Sequence, residues 1–209
     1  MFPASCGDWE YKTHAAYPKL PGRCNKLRDS AYGDSVVVEK YLTDTCDAHS
    51  ILFVGMTNAQ QDYLAGNYRG TEFECLATRP VWIGTHQGTA PSQVAGEMAD
   101  YHRDLSSAIT RLMALRTTSR PKLTDGQFLA FVSATLAFFL ERLFTIHPYA
   151  NGNGHIGRLI VLLALIRLKR HPKNWTLDQR PDYDDAVHKH RNGQPDDLRR
   201  FVLKAIRGY

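Results

Sequence analysis

The chain has 209 residues, of which 43% are hydrophobic and 22% charged, with a formal net charge of +5. That is the make-up of one sizeable globular domain with a buried core. The charge is mild and spread along the chain, which suits an anionic ligand such as a nucleotide and gives no ground for nucleic acid as a partner.

Residues 1 to about 33 carry Pro3, Gly7, Pro18, Pro21, Gly22 and Gly33 with little periodicity, and the first 50 residues read as an irregular N-terminal segment. The start lacks a basic region followed by an apolar run, so no secretory signal is expected there. Cys6, Cys24, Cys46 and Cys75 form no CxxC pair, which removes a zinc knuckle and a thioredoxin-like motif. Four free thiols in a reducing cytoplasm are the expectation, with one disulfide as the alternative.

Ser35 to Leu42 and Ile51 to Leu64 are apolar-rich, and periodicity leaves helix and strand open for both. Ala65 to Gly70 reads as a turn. In residues 71–84, Phe73, Cys75, Val81 and Ile83 stand at two-residue steps around a break at Thr78-Arg79-Pro80, which predicts a small β-hairpin. Pro91 opens a helix with Ser92 as N-cap, and Val94, Met98, Tyr101, Leu105, Ile109 and Leu112 form its buried stripe. From Asp125 to Ile146 apolar residues cover nearly every side, so this helix is central and Pro148 stops it. A second apolar helix is expected from His155 to Lys169. Its run from Leu159 to Leu168 is too short for a bilayer and contains Arg167, so no membrane association is expected. Short helices are expected over Asp182–His190 and after Gln194-Pro195-Asp196-Asp197. The fold class is therefore mainly α, one helical domain with a small hairpin.

The segment between the two apolar helices, His147-Pro148-Tyr149-Ala150-Asn151-Gly152-Asn153-Gly154-His155-Ile156-Gly157-Arg158, carries the chemistry. Gly152 and Gly154 let successive amide N–H groups converge, and the following helix adds its positive end, which together favour a phosphate oxygen. Arg158 lies one turn in and can fork onto phosphate. Asn151 and Asn153 offer amide groups for a metal or for bracing the loop. His147, largely neutral near pH 7, can accept a proton from a hydroxyl that attacks a phosphorus held there, with Mg²⁺ screening charge. No GxxxxGK[ST] loop is present for a Walker-type ATPase.

This stretch resembles the signature of the Fic (Fido) family, His-x-Phe-x-Asp/Glu-Gly-Asn-Gly-Arg-x-x-Arg. His147, Gly152, Asn153, Gly154 and Arg158 match, with Tyr149 close to Phe. The LAGNYRG turn, the hairpin and the Pro-started helix look like the family's segment ahead of its central helices. The likeness covers about residues 51–202, which makes 51–209 the Fic-like domain. It implies transfer of AMP from ATP, with Mg²⁺, to a hydroxyl of a target protein. His147 is then the general base, Gly152, Asn153, Gly154, His155 and Arg158 form the nucleotide site, and Asn151 is the metal position. The resemblance makes the hairpin at 71–84 the flap on which the target backbone docks. Two departures stand out. Asn151 replaces the carboxylate that holds Mg²⁺, and His155 replaces a phosphate-binding arginine, so both contacts should weaken. A Doc-type protein kinase or a weakened nucleotide- or partner-binding module are the alternatives. Ser35 to Lys40 partly matches the family's inhibitory Ser/Thr-x-x-x-Glu-Gly/Asn; otherwise an antitoxin-like partner would supply inhibition. His188, His190 and Arg191 read as a solvated basic loop.

Overall fold

The computed structural model describes residues 6–7, 9–58, 60–83, 86–118, 121–172, 175–179 and 183–207. Among them the chain is mainly helical with one two-stranded sheet. The centre is α6 (Asp125–Ile146), started by Thr124, whose hydroxyl accepts the Gln127 amide while the Gln127 side chain reaches back to Thr124 N. α5 (Pro91–Thr118), α7 (Asn153–Arg167) and α9 (Asp196–Arg207) pack against it and bury most of its apolar residues, while Phe131 and Phe138 stay exposed, so the helix is central without being covered on every side. By length and composition α6 could cross a membrane, yet 56% of its most apolar window lies buried inside the protein. Its Arg142 pairs with Asp104 and its Glu141 with Arg191. At α5 the helix begins at Pro91 itself, whose fixed φ suits a first helical residue, so Ser92 lies inside the helix rather than capping it.

The first fifty residues are not irregular. They form α1 (Leu20–Gly33), α2 (Ser35–Thr43) and α3 (Cys46–Phe53), which pack on one another and against α7. Leu20, Cys24, Leu27 and Ala31 recur at helical spacing and are buried, with Pro21 tolerated in the first turn. Asp34 separates α1 from α2 by accepting the Val36 amide.

The residue 71–84 segment also differs from expectation. Phe73 is the N-cap of a short helix, α4 (Glu74–Ala77), which contains Cys75, and the hairpin lies further on, with β1 (Trp82–Ile83) antiparallel to β2 (His86–Gln87). Trp82 pairs with Gln87 and Ile83 with His86; the residues joining the strands lie outside the described ones. Cys75 is not a free thiol but is bonded to Cys6, and only Cys24 and Cys46 remain reduced among the described residues. A disulfide persists in oxidising compartments, so the cysteines no longer argue for a reducing cytoplasm.

Candidate functional site

The junction of α6 and α7 opens onto a cavity of about 900 Å³. His147 ends α6 in the left-handed conformation, φ 51° and ψ 61°, and its own amide closes the last turn onto Leu143 O. Turning the chain there places the imidazole on the cavity wall. Its Nδ1 is buried without a hydrogen-bond partner. Burial, followed by the Arg69 charge, pushes His147 down to about 4; the Phe144 carbonyl pulls the other way and Arg191 adds a smaller push down. The ring is therefore neutral across the physiological range.

Asn153 locks the loop that follows. Its side-chain oxygen accepts the Tyr149 amide at 3.0 Å and its nitrogen donates to Tyr149 O at 2.9 Å, a closed two-bond ring 3% exposed. The Asn153 side chain thus braces the turn rather than facing a ligand. Gly152 takes φ +80°, and a Cβ there would stand 2.4 Å from a ring carbon of Phe53. Only glycine fits this combination of backbone and neighbour. His49 closes the underside: its Nδ1 accepts the Gly66 amide at 2.9 Å, so Nε2 carries the proton that goes to Asn151 O at 3.0 Å. The ring also stacks on Tyr149, centroids 3.8 Å apart.

With the loop held this way, α7 starts at Gly152 with no side-chain cap. The amides of His155 and Ile156 turn back to Gly152 O, while those of Asn153 and Gly154 have no partner among the described residues. Two free N–H groups at the positive end of a fifteen-residue helix are an anion site in physical terms. Arg158 lies beside them, 1% exposed. Its Nε and Nη2 donate to Leu177 O at 3.0 and 2.7 Å, and Nη1 lies 3.4 Å from the Tyr183 hydroxyl. No carboxylate pairs with it among the described residues, and these bonds hold the guanidinium in place. Gly154 keeps that approach open, since a Cβ there would come within 3.3 Å of Arg158 Nη1.

The two departures have distinct structural outcomes. Asn151 donates from Nδ2 to Trp9 O at 2.6 Å and accepts the Gly152 amide on Oδ1 at 2.8 Å. Its side chain is already engaged at both ends in bracing the loop. No group of three or more metal-ligating His, Cys, Asp or Glu side chains gathers among the described residues. His155 is 7% exposed, edge-on to Tyr11 and Phe53, with Nε2 buried and unpartnered. Burial first, then Arg158, His49 and Lys12, push it down to about 3, so the ring carries no charge.

Sequence reasoning missed Arg69, which staples the site together. Its guanidinium, 0% exposed, donates to the carbonyls of His147, Ile146, Arg79 and Thr89 at 2.8–2.9 Å. It ties the end of α6 to both flanks of the hairpin, and its place in the LAGNYRG turn was the available signal. The N-terminal wall of the cavity, Tyr11, Lys12 and Tyr17, gave no signal at all. His188 and Arg191 are not a solvated loop: they lie on α8 (Asp184–Arg191) and line the cavity, and Arg191 bonds Glu141 and Thr145. Glu39 does not reach the signature loop. It pairs with Arg167 at 2.5 Å, at the far end of α7 from Gly154, so Ser35–Lys40 is packed as a helix and not as an inhibitor of the site.

Compared with solved structures, the chain is similar to a Fic family protein from Desulfovibrio desulfuricans G20, with a TM-score of 0.54 and 18% identity over 93% of this chain and 52% of that one. The fold is therefore Fic-like, and the likeness extends further toward the N-terminus than residue 51. The chain spans about half the length of that protein. No protein-family model matches the chain, and no curated protein matches it in sequence.

Proposed function

We propose that the protein transfers AMP from ATP to a hydroxyl side chain of a target protein. The observation that carries this reading is the meeting, on one cavity wall, of a neutral imidazole, two unpartnered helix-start amides and an arginine without an acidic partner. The amides of Asn153 and Gly154 and the Arg158 guanidinium grip the phosphates. The target hydroxyl attacks the α-phosphorus, the bond to the bridging oxygen of pyrophosphate breaks, and His147 takes the hydroxyl proton. A ring at about 4 is a weak base in the empty cavity. The negative charge of bound triphosphate opposes Arg69 and Arg191 and raises its proton affinity when substrate is present. Mg²⁺ bound together with the nucleotide would screen the phosphate charge, with phosphate oxygens and water in its shell. Asn151 offers it at most a neutral oxygen. The target backbone docks along the paired strands β1 and β2, where Trp82 is 65% exposed and Ile83 reaches the cavity.

A second reading, a nucleotide-binding module without turnover, draws on the engaged side chain of Asn151 and the uncharged His155. The separating experiment incubates the protein with cell lysate, Mg²⁺ and ATP labelled at the α- or γ-phosphate, beside His147→Ala. Protein label from the α-position that disappears in the variant supports AMP transfer. Label from the γ-position alone means a Doc-type kinase, and ATP binding with no label means the module. UTP, CTP and GTP are run alongside, since the base is open.

A further inference from the structure

We propose that Lys12 supplies the phosphate-binding charge that position 155 lacks, presented by an N-terminal strap which the Cys6–Cys75 disulfide holds across the cavity. The inference rests on the nucleotide reading of the cavity and adds a binding residue from outside the signature.

His155 stands where the resembled signature carries an arginine, and its ring is turned into an aromatic pocket rather than toward bulk water. Tyr11 and Phe53 meet it edge-on at 5.9 and 5.5 Å. Tyr11 is itself 5% exposed, which fixes the backbone of its neighbour. Lys12 follows directly and lines the same cavity as Gly152, Gly154 and Arg158. Its ammonium has no acidic partner among the described residues, whereas Lys40 is paired with Asp47 and Lys189 with Asp185 and Asp197. It is near enough to His155 for its charge to act on that ring. An ammonium, two helix-start amides and a guanidinium, none of them with an acidic hydrogen-bond partner among the described residues, meet on one cavity, an arrangement that a polyanion can bridge. The cavity's carboxylates, Asp178, Asp184 and Asp185, come from the C-terminal part of the chain, and Asp185 is taken by Lys189.

Among its described residues the strap contains two single-turn 3-10 helices, Tyr11–Thr13 and Tyr17–Lys19, too short to hold it by helix packing. Specific bonds hold it instead. Trp9 donates its indole N–H to Met56 O at 2.8 Å and accepts Asn151 Nδ2 on its carbonyl at 2.6 Å. Arg79 reaches the carbonyls of Cys6 and Gly7 at 3.4 Å, and Cys6 is covalently tied to Cys75. The signature loop and the strap thus brace each other through Asn151, the residue that replaces the family's carboxylate.

The test is titration of ATP and of adenosine into the full chain, with Lys12→Ala, Lys12→Arg, Arg158→Gln and the double variant Cys6→Ser/Cys75→Ser. Loss of one charge-assisted contact should weaken ATP about tenfold in Lys12→Ala. Adenosine should bind unchanged, and Lys12→Arg should retain ATP affinity. The double cysteine variant should weaken ATP to a similar extent, and adding Lys12→Ala to it should change little more. Three results would overturn the proposal: Lys12→Ala binding ATP like wild type while Arg158→Gln loses it, equal weakening of ATP and adenosine, or full ATP affinity in the cysteine variant. If wild type itself takes no ATP, the nucleotide reading falls along with the proposal.

Discussion

Replacing Gly152 by alanine perturbs the point on which the site turns. The backbone there has φ +80°, a region that costs a non-glycine residue about 1 kcal/mol. The added methyl would also stand 2.4 and 2.7 Å from two ring carbons of Phe53 and 3.0 Å from His49 Nε2. Phe53 is 0% exposed and cannot swing into solvent, so the core must shift, an overpacking cost of about 2 kcal/mol. The sum, about 3 kcal/mol, corresponds to a fall in melting temperature of about 9 °C for a chain of this size. Gly154→Ala is the matched control. It lies inside the first turn of α7, where alanine gains up to about 1 kcal/mol of helix propensity, and its methyl meets only Arg158 Nη1 at 3.3 Å and the Tyr183 hydroxyl at 3.4 Å. Calorimetric melting paired with ATP titration should separate the two: Gly152→Ala loses both stability and binding, while Gly154→Ala keeps its melting temperature and loses affinity. A Gly152→Ala protein melting within about 2 °C of wild type would refute the packing argument.

Arg69→Met keeps an apolar stem but leaves the carbonyls of His147, Ile146, Arg79 and Thr89 without their donor; urea unfolding should show a loss of at least about 3 kcal/mol, and a loss below about 1 would contradict the staple. Cys6→Ser/Cys75→Ser opens a loop with a sequence separation of 69, and denaturant titration should register a loss of about 4 kcal/mol relative to the oxidised protein. His49, His147 and His155 are held down to about 3, 4 and 3 by burial. The unfolded chain therefore takes up their protons first as pH falls through about 6.5, and each histidine removes about 1.4 kcal/mol of stability per pH unit until its folded value is reached. Stability should thus decline already between pH 6.5 and 5, above the carboxylate range, and a flat profile there would contradict the buried neutral rings.

The two central helices were legible because apolar residues dominate both and Pro148 marks the break between them. The loop stood out through the order and spacing of His147, Gly152-Asn153-Gly154 and Arg158 between two apolar helices, since each of these alone is more often a turn, a cap or a surface residue. The N-terminal helices were obscured by Pro21 and Gly22, which punctuate a sequence without breaking a helix when they stand in its first turn. The hairpin was misplaced because Phe73 and Cys75 alternate like a strand, while Phe73 caps and Cys75 lies within a four-residue helix. The strap could not be read at all: Trp9, Tyr11 and Lys12 reach the site through the disulfide, the Met56 and Asn151 bonds and aromatic packing, each joining residues tens of positions apart. The same holds for His49, whose partners Gly66 and Asn151 are remote in sequence.

The most direct test of the central claim is a crystal structure grown with a non-hydrolysable ATP analogue and Mg²⁺. The account predicts the triphosphate along the amides of Asn153 and Gly154, a terminal oxygen on Arg158, and the α-phosphorus facing the ring of His147. Nucleotide seated elsewhere on the protein, or an α-phosphorus turned away from that ring, would contradict it.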